Sequence, residues 1–202
     1  MTTAKEYAGA YLDQLRAAID EIDPAALDPV IAALRRAEAE GRTVYVVGNG
    51  GSASTASHLA SDLCRTGAGT GRRGLRALCL SDSVAAYTAM ANDTGYETAF
   101  AELLALQVGE GDVLIAISGS GSSPNVLRAV EVARERGATS VALVGFGGGE
   151  LARMVDHPVT LRTRHYGVVE DLHLALCHII SMFLAGPQRM GRPDQRPSSS
   201  LG

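Results

Sequence analysis

The sequence predicts one α/β domain built on a parallel sheet, and three observations carry that prediction. Five short apolar, β-branched runs (residues 43–47, 77–80, 112–117, 140–144 and 157–161) alternate with segments of helical periodicity. The run Val113-Leu114-Ile115-Ala116-Ile117 is apolar at successive positions, as a strand covered by helices on both faces must be. A chain of 202 residues with 46% hydrophobic content is long enough to bury one sizeable core.

Taken in order, Tyr7, Tyr11, Leu15, Ala18 and Ile22 recur at helical spacing until Asp23-Pro24 breaks the pattern, and a second helical run leads from Pro29 through Leu34 to Gly41. Two amphipathic helices ahead of an α/β unit must bury their apolar faces, against the sheet or against another subunit, so an oligomer is expected. Between the five strands, helices are expected at 54–65, 83–90, 98–107, 125–136, 150–154 and 167–184. Residues 1–186 therefore form one domain, with N-terminal helices in 1–41 and the α/β core in 42–186. Residues 187–202, rich in Pro and Ser, have the composition of a disordered tail.

The formal charge of −4 and a pI near 5.7 count against nucleic acid and anionic lipid as partners. Arg72, Arg73 and Arg76 form the one dense basic patch and are read as a solvated loop bordering the site. Aromatic residues make up only 4% and tryptophan is absent, which leaves little for stacking on bases. Neither a signal peptide nor a membrane-spanning stretch is expected. Cys64, Cys79 and Cys177 lack CxxC spacing and read as reduced, small core residues of a cytoplasmic protein.

Two loops carry the chemistry. In Thr43-Val44-Tyr45-Val46-Val47-Gly48-Asn49-Gly50-Gly51-Ser52-Ala53 a strand runs straight into glycines and a helix start, a geometry that turns backbone N–H groups toward one spot. Ser118-Gly119-Ser120-Gly121-Ser122-Ser123-Pro124-Asn125 repeats the layout with four hydroxyls, and Pro124 suits a first helical turn. Either loop alone is equally a tight turn and a helix cap. Two of them after two strands of one sheet point to an anion such as phosphate at the strands' carboxyl ends. There is no Walker lysine, GxGxxG is only approximated, and no acidic ribose ligand follows about 20 residues on, all of which counts against a nucleotide.

His58 and Asp62 are four apart on the helix that opens in the first loop. Glu170, Asp171, His173 and His178 share one apolar helix; Glu170 and His178 lie on one broad face, and Asp171 aligns with His178 better still. A His, carboxylate and His set drawn from two helices suits Zn(II) or a metal-free acid/base pair. His173 is read as a hydrogen-bonded core residue, and His157 and His165 as structural or surface residues.

These residues together resemble the sugar isomerase (SIS) family in its phosphoheptose isomerase branch: Gly48-Asn49-Gly50-Gly51-Ser52-Ala53 with His58, the 118–123 loop with Asn125-Val126, and Glu170-Asp171-Leu172-His173 ending at His178. Ser81-Asp82 and Ala91-Asn92-Asp93 extend the similarity, which reaches to about residue 184. The resemblance implies a five-stranded parallel sheet flanked by helices and a homotetramer with active sites at subunit interfaces. It implies conversion of sedoheptulose 7-phosphate to a D-glycero-D-heptose 7-phosphate, manno or altro, through an enediol. By position His58, Asp62, Glu170 and His178 match metal ligands for zinc, with Asp62 and His178 as base and acid/base. Asn49, Gly50, Gly51, Ser52, Asp93, Ser118, Gly119, Ser120, Ser123 and Glu170 match substrate or phosphate contacts.

Departures from the family pattern are specific. Asp62 is one methylene shorter than the family's glutamate, and Glu170 replaces a glutamine. Gly119 stands where the family has serine or threonine, Gly167 where it has an acidic residue, and Arg65 lies one position before its arginine. The alternative function is a non-catalytic SIS-fold regulator that binds a replication initiator protein; such relatives lack the acid and second histidine that Asp62 and His178 supply. A sugar-phosphate-sensing domain and an amino-sugar phosphate enzyme are lesser alternatives.

Overall fold

Alternate residues of a strand face opposite sides of a sheet, so strands apolar at every position need cover on both. The computed structural model, which describes residues 2–69 and 71–186, meets that need with one parallel sheet between two helical layers. Its strands are β1 (Thr43–Gly48), β2 (Arg76–Cys79), β3 (Val113–Ser118), β4 (Thr139–Val144) and β5 (His157–Thr160), in the order β2-β1-β3-β4-β5. In register, Val46 pairs with Ile115 and Ile115 with Val141. The helices are α1 (Ala4–Asp20), α2 (Leu27–Glu40), α3 (Gly51–Cys64), α4 (Val84–Thr94), α5 (Ala99–Ala105), α6 (Pro124–Glu135), α7 (Leu151–Met154) and α8 (Tyr166–Ala185).

The period of two divides the core. Val44, Val46, Ile115, Ile117 and Leu143 pack with Leu34 of α2, Leu59 of α3 and Leu176 of α8. Their neighbours Tyr45, Val47, Leu114, Ala116 and Ala142 pack with Phe100 of α5, Val130 of α6 and Leu151 of α7. Local signals set the ends of the N-terminal helices. Thr3 and Glu6 form a reciprocal capping box on α1, Asp23 caps a 3-10 turn at Pro24–Ala26, and Gly41 ends α2 in the left-handed region (φ +66°).

All five expected strands are present, shifted by a residue at most. Helix α3 starts three residues earlier than its sequence pattern indicates, because Gly51 and Ser52, weak helix formers, are recruited with Ala53 behind the turn at Gly50. Three further expectations need correction. Helix α8 is long and apolar enough by composition to cross a bilayer (mean hydropathy 1.6), although 56% of that stretch is buried inside the fold. Cys64 is exposed, unlike Cys79 and Cys177, since it ends α3 beside β2 and its thiol reaches the Ala77 carbonyl. The arginine patch runs into the start of β2, whose first residue is Arg76, at the end of the sheet opposite the strands' carboxyl ends, with Arg72 paired to Glu38; it does not border the loops. The expected tail at 187–202 lies outside the described residues.

Candidate active site

In the order 2-1-3-4-5 the connections leave β1 and β3 toward opposite sides, and a crevice opens beyond the carboxyl ends of these neighbours. Both Gly/Ser loops emerge there. They line a cavity of about 270 Å3 with Asn49, Gly50, Gly51 and Ser52 from the first, Ser118, Gly119, Ser120 and Ser123 from the second, and Tyr166 and Glu170 from α8. Nine of the ten residues matched to substrate contacts are thus brought together.

Backbone geometry makes this cavity rich in donors. Gly50, at φ +55° and ψ −123°, holds a conformation that side chains forbid, and it turns the chain directly into α3. A β-carbon on Gly48 would stand 2.6 Å from the Ser52 carbonyl oxygen, so loop and helix pack backbone to backbone. Among the described residues no side chain caps α3 or α6, leaving their first N–H groups to face the crevice. Ser118 Oγ accepts the Gly121 N–H at 3.1 Å and Ser120 Oγ that of Ser122 at 3.3 Å. Each hydroxyl keeps its own hydrogen to donate.

Helix α8 closes the cavity. Glu170 lays its carboxylate against Gly51, the first residue of α3, in space that any β-carbon at 51 would occupy. A carboxylate at a helix N-terminus is favoured by the exposed N–H groups and the helix dipole. Tyr166 packs edge-on against Phe146, ring centroids 4.6 Å apart, and a β-carbon on Gly119 would come within 3.0 Å of its ring. That contact gives the glycine at 119 a physical reason. Tyr166 escaped the sequence reading; its signal was an aromatic residue on the first turn of the helix that carries Glu170.

A second cluster lies further along the same two helices. Nε2 of His178 and Nε2 of His58 face each other at 3.0 Å, and His58 Nε2 is 3.4 Å from Asp62 Oδ2. Ser181, which sequence reasoning missed, donates its hydroxyl to the same Asp62 oxygen at 3.3 Å. One ligand atom from each of His58, Asp62 and His178 fits within 4.8 Å of the others. At that distance the two ring nitrogens are within hydrogen-bond reach, with donor and acceptor set by the tautomers. The edges of a tetrahedral zinc site with bonds of about 2.0–2.1 Å measure roughly 3.4 Å, so this N, N, O donor set fits such an ion with a corner to spare.

Contacts of Gly51 with Glu170, His58 with His178 and Asp62 with Ser181 run in the same chain direction, so α3 and α8 are parallel. Cavity and cluster occupy successive stretches of that seam. From Gly51 to His58 is seven residues, roughly 10 Å of helix at 1.5 Å per residue. Glu170 therefore stands with the loops and not in the His58, Asp62, His178 cluster.

Other expected residues fall elsewhere. Asp171 is turned toward α1, accepting the Tyr11 hydroxyl at 2.6 Å, and not toward His178; that bond pushes the Tyr11 pKa up to about 12. A seven-residue separation aligned Asp171 with His178, but the one-residue offset from Glu170 rotates it to the α1 side. Asp93 is exposed on α4, held by Asn92 at 3.0 Å, and does not line the cavity. His173 is fully buried as expected, yet neither ring nitrogen has a hydrogen-bond partner among the described residues, and burial lowers its pKa to about 4. His165 caps α8 by accepting the Val168 N–H, and His157 lies on β5. Arg65 follows α3 as its exposed C-cap, one residue removed from the family position.

The comparisons agree with this geometry. The SIS domain model matches residues 7–145. A phosphoheptose isomerase from Nitratidesulfovibrio vulgaris is 38% identical over 142 residues, 70% of this chain and 68% of that one. One from Mycobacterium tuberculosis is 41% identical over 146 residues, 70% and 71% respectively. The structure of phosphoheptose isomerase GmhA from Neisseria gonorrhoeae superposes with a TM-score of 0.84 at 28% identity, covering 90% of this chain and 98% of its own. With its five-stranded parallel sheet, its paired loops and these relatives, the chain belongs to the SIS family, in the branch of the phosphoheptose isomerases.

Proposed function

We propose that the protein is an aldose–ketose isomerase that converts sedoheptulose 7-phosphate to a D-glycero-D-heptose 7-phosphate, manno or altro, through an enediol. One observation carries the reading: a donor-rich anion cavity and a His, Asp, His cluster share the α3–α8 seam, with roughly 10 Å of helix between Gly51 and His58. A seven-carbon sugar extended from a terminal phosphate spans a comparable length. The phosphate then rests on the loop N–H groups and the hydroxyls of Ser52, Ser118, Ser120 and Ser123, while C1 and C2 reach His58, Asp62 and His178. Asn49, Gly50, Gly51, Gly119 and Glu170 shape the phosphate end.

Asp62 places Oδ2 in the cluster, and its carboxylate has a second oxygen with which it can take up a proton. In the proposed path Asp62 takes the proton from C1 of the ketose as His178 donates one to O2, leaving an enediol. His178 then removes the O1 proton, and Asp62, partly open to water and exchanging its proton there, delivers a proton to C2, giving the aldose. His58, Asp62 and His178 are the residues that would hold Zn(II), with Glu170 brought in from the loop end as a fourth ligand only if its side chain leaves Gly51. Bound there, zinc supplies Lewis-acid stabilisation of the negative charge that develops on the sugar oxygens.

The exposed apolar residues Tyr7, Leu12 and Ile19 on α1 and Ile179 and Phe183 on α8 support a homo-oligomer, which we assign as a tetramer. We place the protein in the cytoplasm, and residues 1–186 form its single SIS domain. Proton NMR of sedoheptulose 7-phosphate incubated with the protein and Zn(II) tests the function. New aldose resonances support it; no turnover together with tight binding to a replication initiator protein would favour the regulator.

A further inference from the structure

Asn125, on the first turn of α6, is 1% exposed and does not line the cavity, yet it is bonded to a residue that does. Its amide pairs reciprocally with that of Asn49: Asn49 Nδ2 donates to Asn125 Oδ1 at 2.9 Å, and Asn125 Nδ2 donates to Asn49 Oδ1 at 2.9 Å. This two-bond ring joins one Gly/Ser loop to the helix start of the other across 76 positions of sequence. Tyr96, in the turn after α4, donates its hydroxyl to the same Asn49 oxygen at 2.8 Å. The remaining amide hydrogen of Asn125 points to the Tyr87 hydroxyl at 3.4 Å. Burial pushes the Tyr87 pKa up to about 12, so that phenol stays neutral.

A side-chain amide has two acceptor sites and two hydrogens. In the amide orientation that makes these bonds, both acceptor sites of Asn49 are filled, by Asn125 and Tyr96, and one hydrogen is spent on Asn125. What Asn49 offers the cavity is a single N–H in a fixed direction. Rigid donors are worth most in a site that binds an anion, because no reorganisation is needed when the ligand arrives.

We propose that Asn125 is a positioning residue: through its amide pair with Asn49, supported by Tyr96, it sets the separation of the two loops and holds Asn49 as a donor to the phosphorylated ligand. The proposal rests on the sugar-phosphate reading and adds a residue that acts from behind the cavity wall. Asn125 touches none of His58, Asp62 and His178, so its loss weakens ligand binding and leaves the proton-transfer groups in place.

The test is a double-mutant cycle on sedoheptulose 7-phosphate binding, read by calorimetry, with Asn49→Ala, Asn125→Ala and the double variant. We expect Asn125→Ala to raise Kd about tenfold, KM to rise with it, and kcat to change less than about threefold. In the Asn49→Ala background the same change should have almost no further effect. Tyr96→Phe, at an exposed residue outside the core, removes one bond to Asn49 without threatening the fold and should raise Kd about threefold. An unchanged Kd in both Asn125→Ala and Tyr96→Phe, or an Asn125→Ala effect that persists undiminished without the Asn49 amide, overturns the proposal. A wild-type protein that binds no sugar phosphate overturns the sugar-phosphate reading and this proposal together, whereas tight wild-type binding with an additive cycle overturns this proposal alone.

Discussion

Replacing His173 by leucine should make the protein more stable and remove part of its acid sensitivity. The imidazole is fully buried and neither nitrogen is paired among the described residues. A buried polar group without a partner costs about 1–3 kcal/mol, and leucine, of similar volume, has no such group to desolvate. Burial also lowers the folded pKa from 6.5 to about 4. Between those values the unfolded chain binds a proton that the folded one refuses, so stability falls as pH drops below 6.5. At pH 5 this linkage amounts to about 2 kcal/mol, and at pH 7.5 to almost nothing. Urea unfolding at both pH values separates the effects: His173→Leu should add stability at pH 7.5 and reduce the loss on going to pH 5 by about 2 kcal/mol. Equal pH dependence in the two proteins would refute the reasoning and require a partner for His173.

Three further outcomes are expected. Gly51→Ala adds a good helix former to α3, so thermal stability should hold, but its methyl group displaces the Glu170 carboxylate; KM for the sugar phosphate should rise about tenfold, as steady-state kinetics will show. Asp62→Asn keeps the shape of the cluster and removes its charge, and competition with a fluorescent chelator should find zinc affinity reduced at least about tenfold. Ser118→Ala leaves the buried Gly121 N–H without its acceptor, and chemical denaturation should register a loss of about 1–2 kcal/mol together with weaker phosphate inhibition.

Local chemistry made much of this site legible. A strand that ends in glycines and enters a helix has few other geometries, so Gly48–Ser52 and Ser118–Ser123 could be placed before any contact was known. His58 and Asp62 at helical spacing were legible for the same reason, and His178 could be joined to them because both helices looked one-sided. Rotation about a helix axis is harder to read: Glu170 and Asp171 are adjacent carboxylates, and only packing of α8 against α3 and α1 shows that one meets Gly51 and the other Tyr11. Tyr166 was hidden because an aromatic on an exposed first turn has no distinctive spacing. The Asn49–Asn125 pair was out of reach, since a reciprocal amide bond between distant loops depends on the sheet order that makes β1 and β3 neighbours.

Isomerisation of sedoheptulose 7-phosphate in D2O, followed by proton NMR for the wild type and His178→Ala, tests the proposed chemistry most directly. An enediol path with Asp62 as base exchanges the abstracted proton with solvent and delivers deuterium to C2 of the aldose. The wild type should form aldose labelled at C2, and His178→Ala should form none while still binding the sugar phosphate. Undiminished turnover by His178→Ala would contradict the assignment of the His58, Asp62, His178 cluster as the catalytic centre, and aldose that retains protium at C2 throughout would contradict a proton that exchanges with solvent at Asp62.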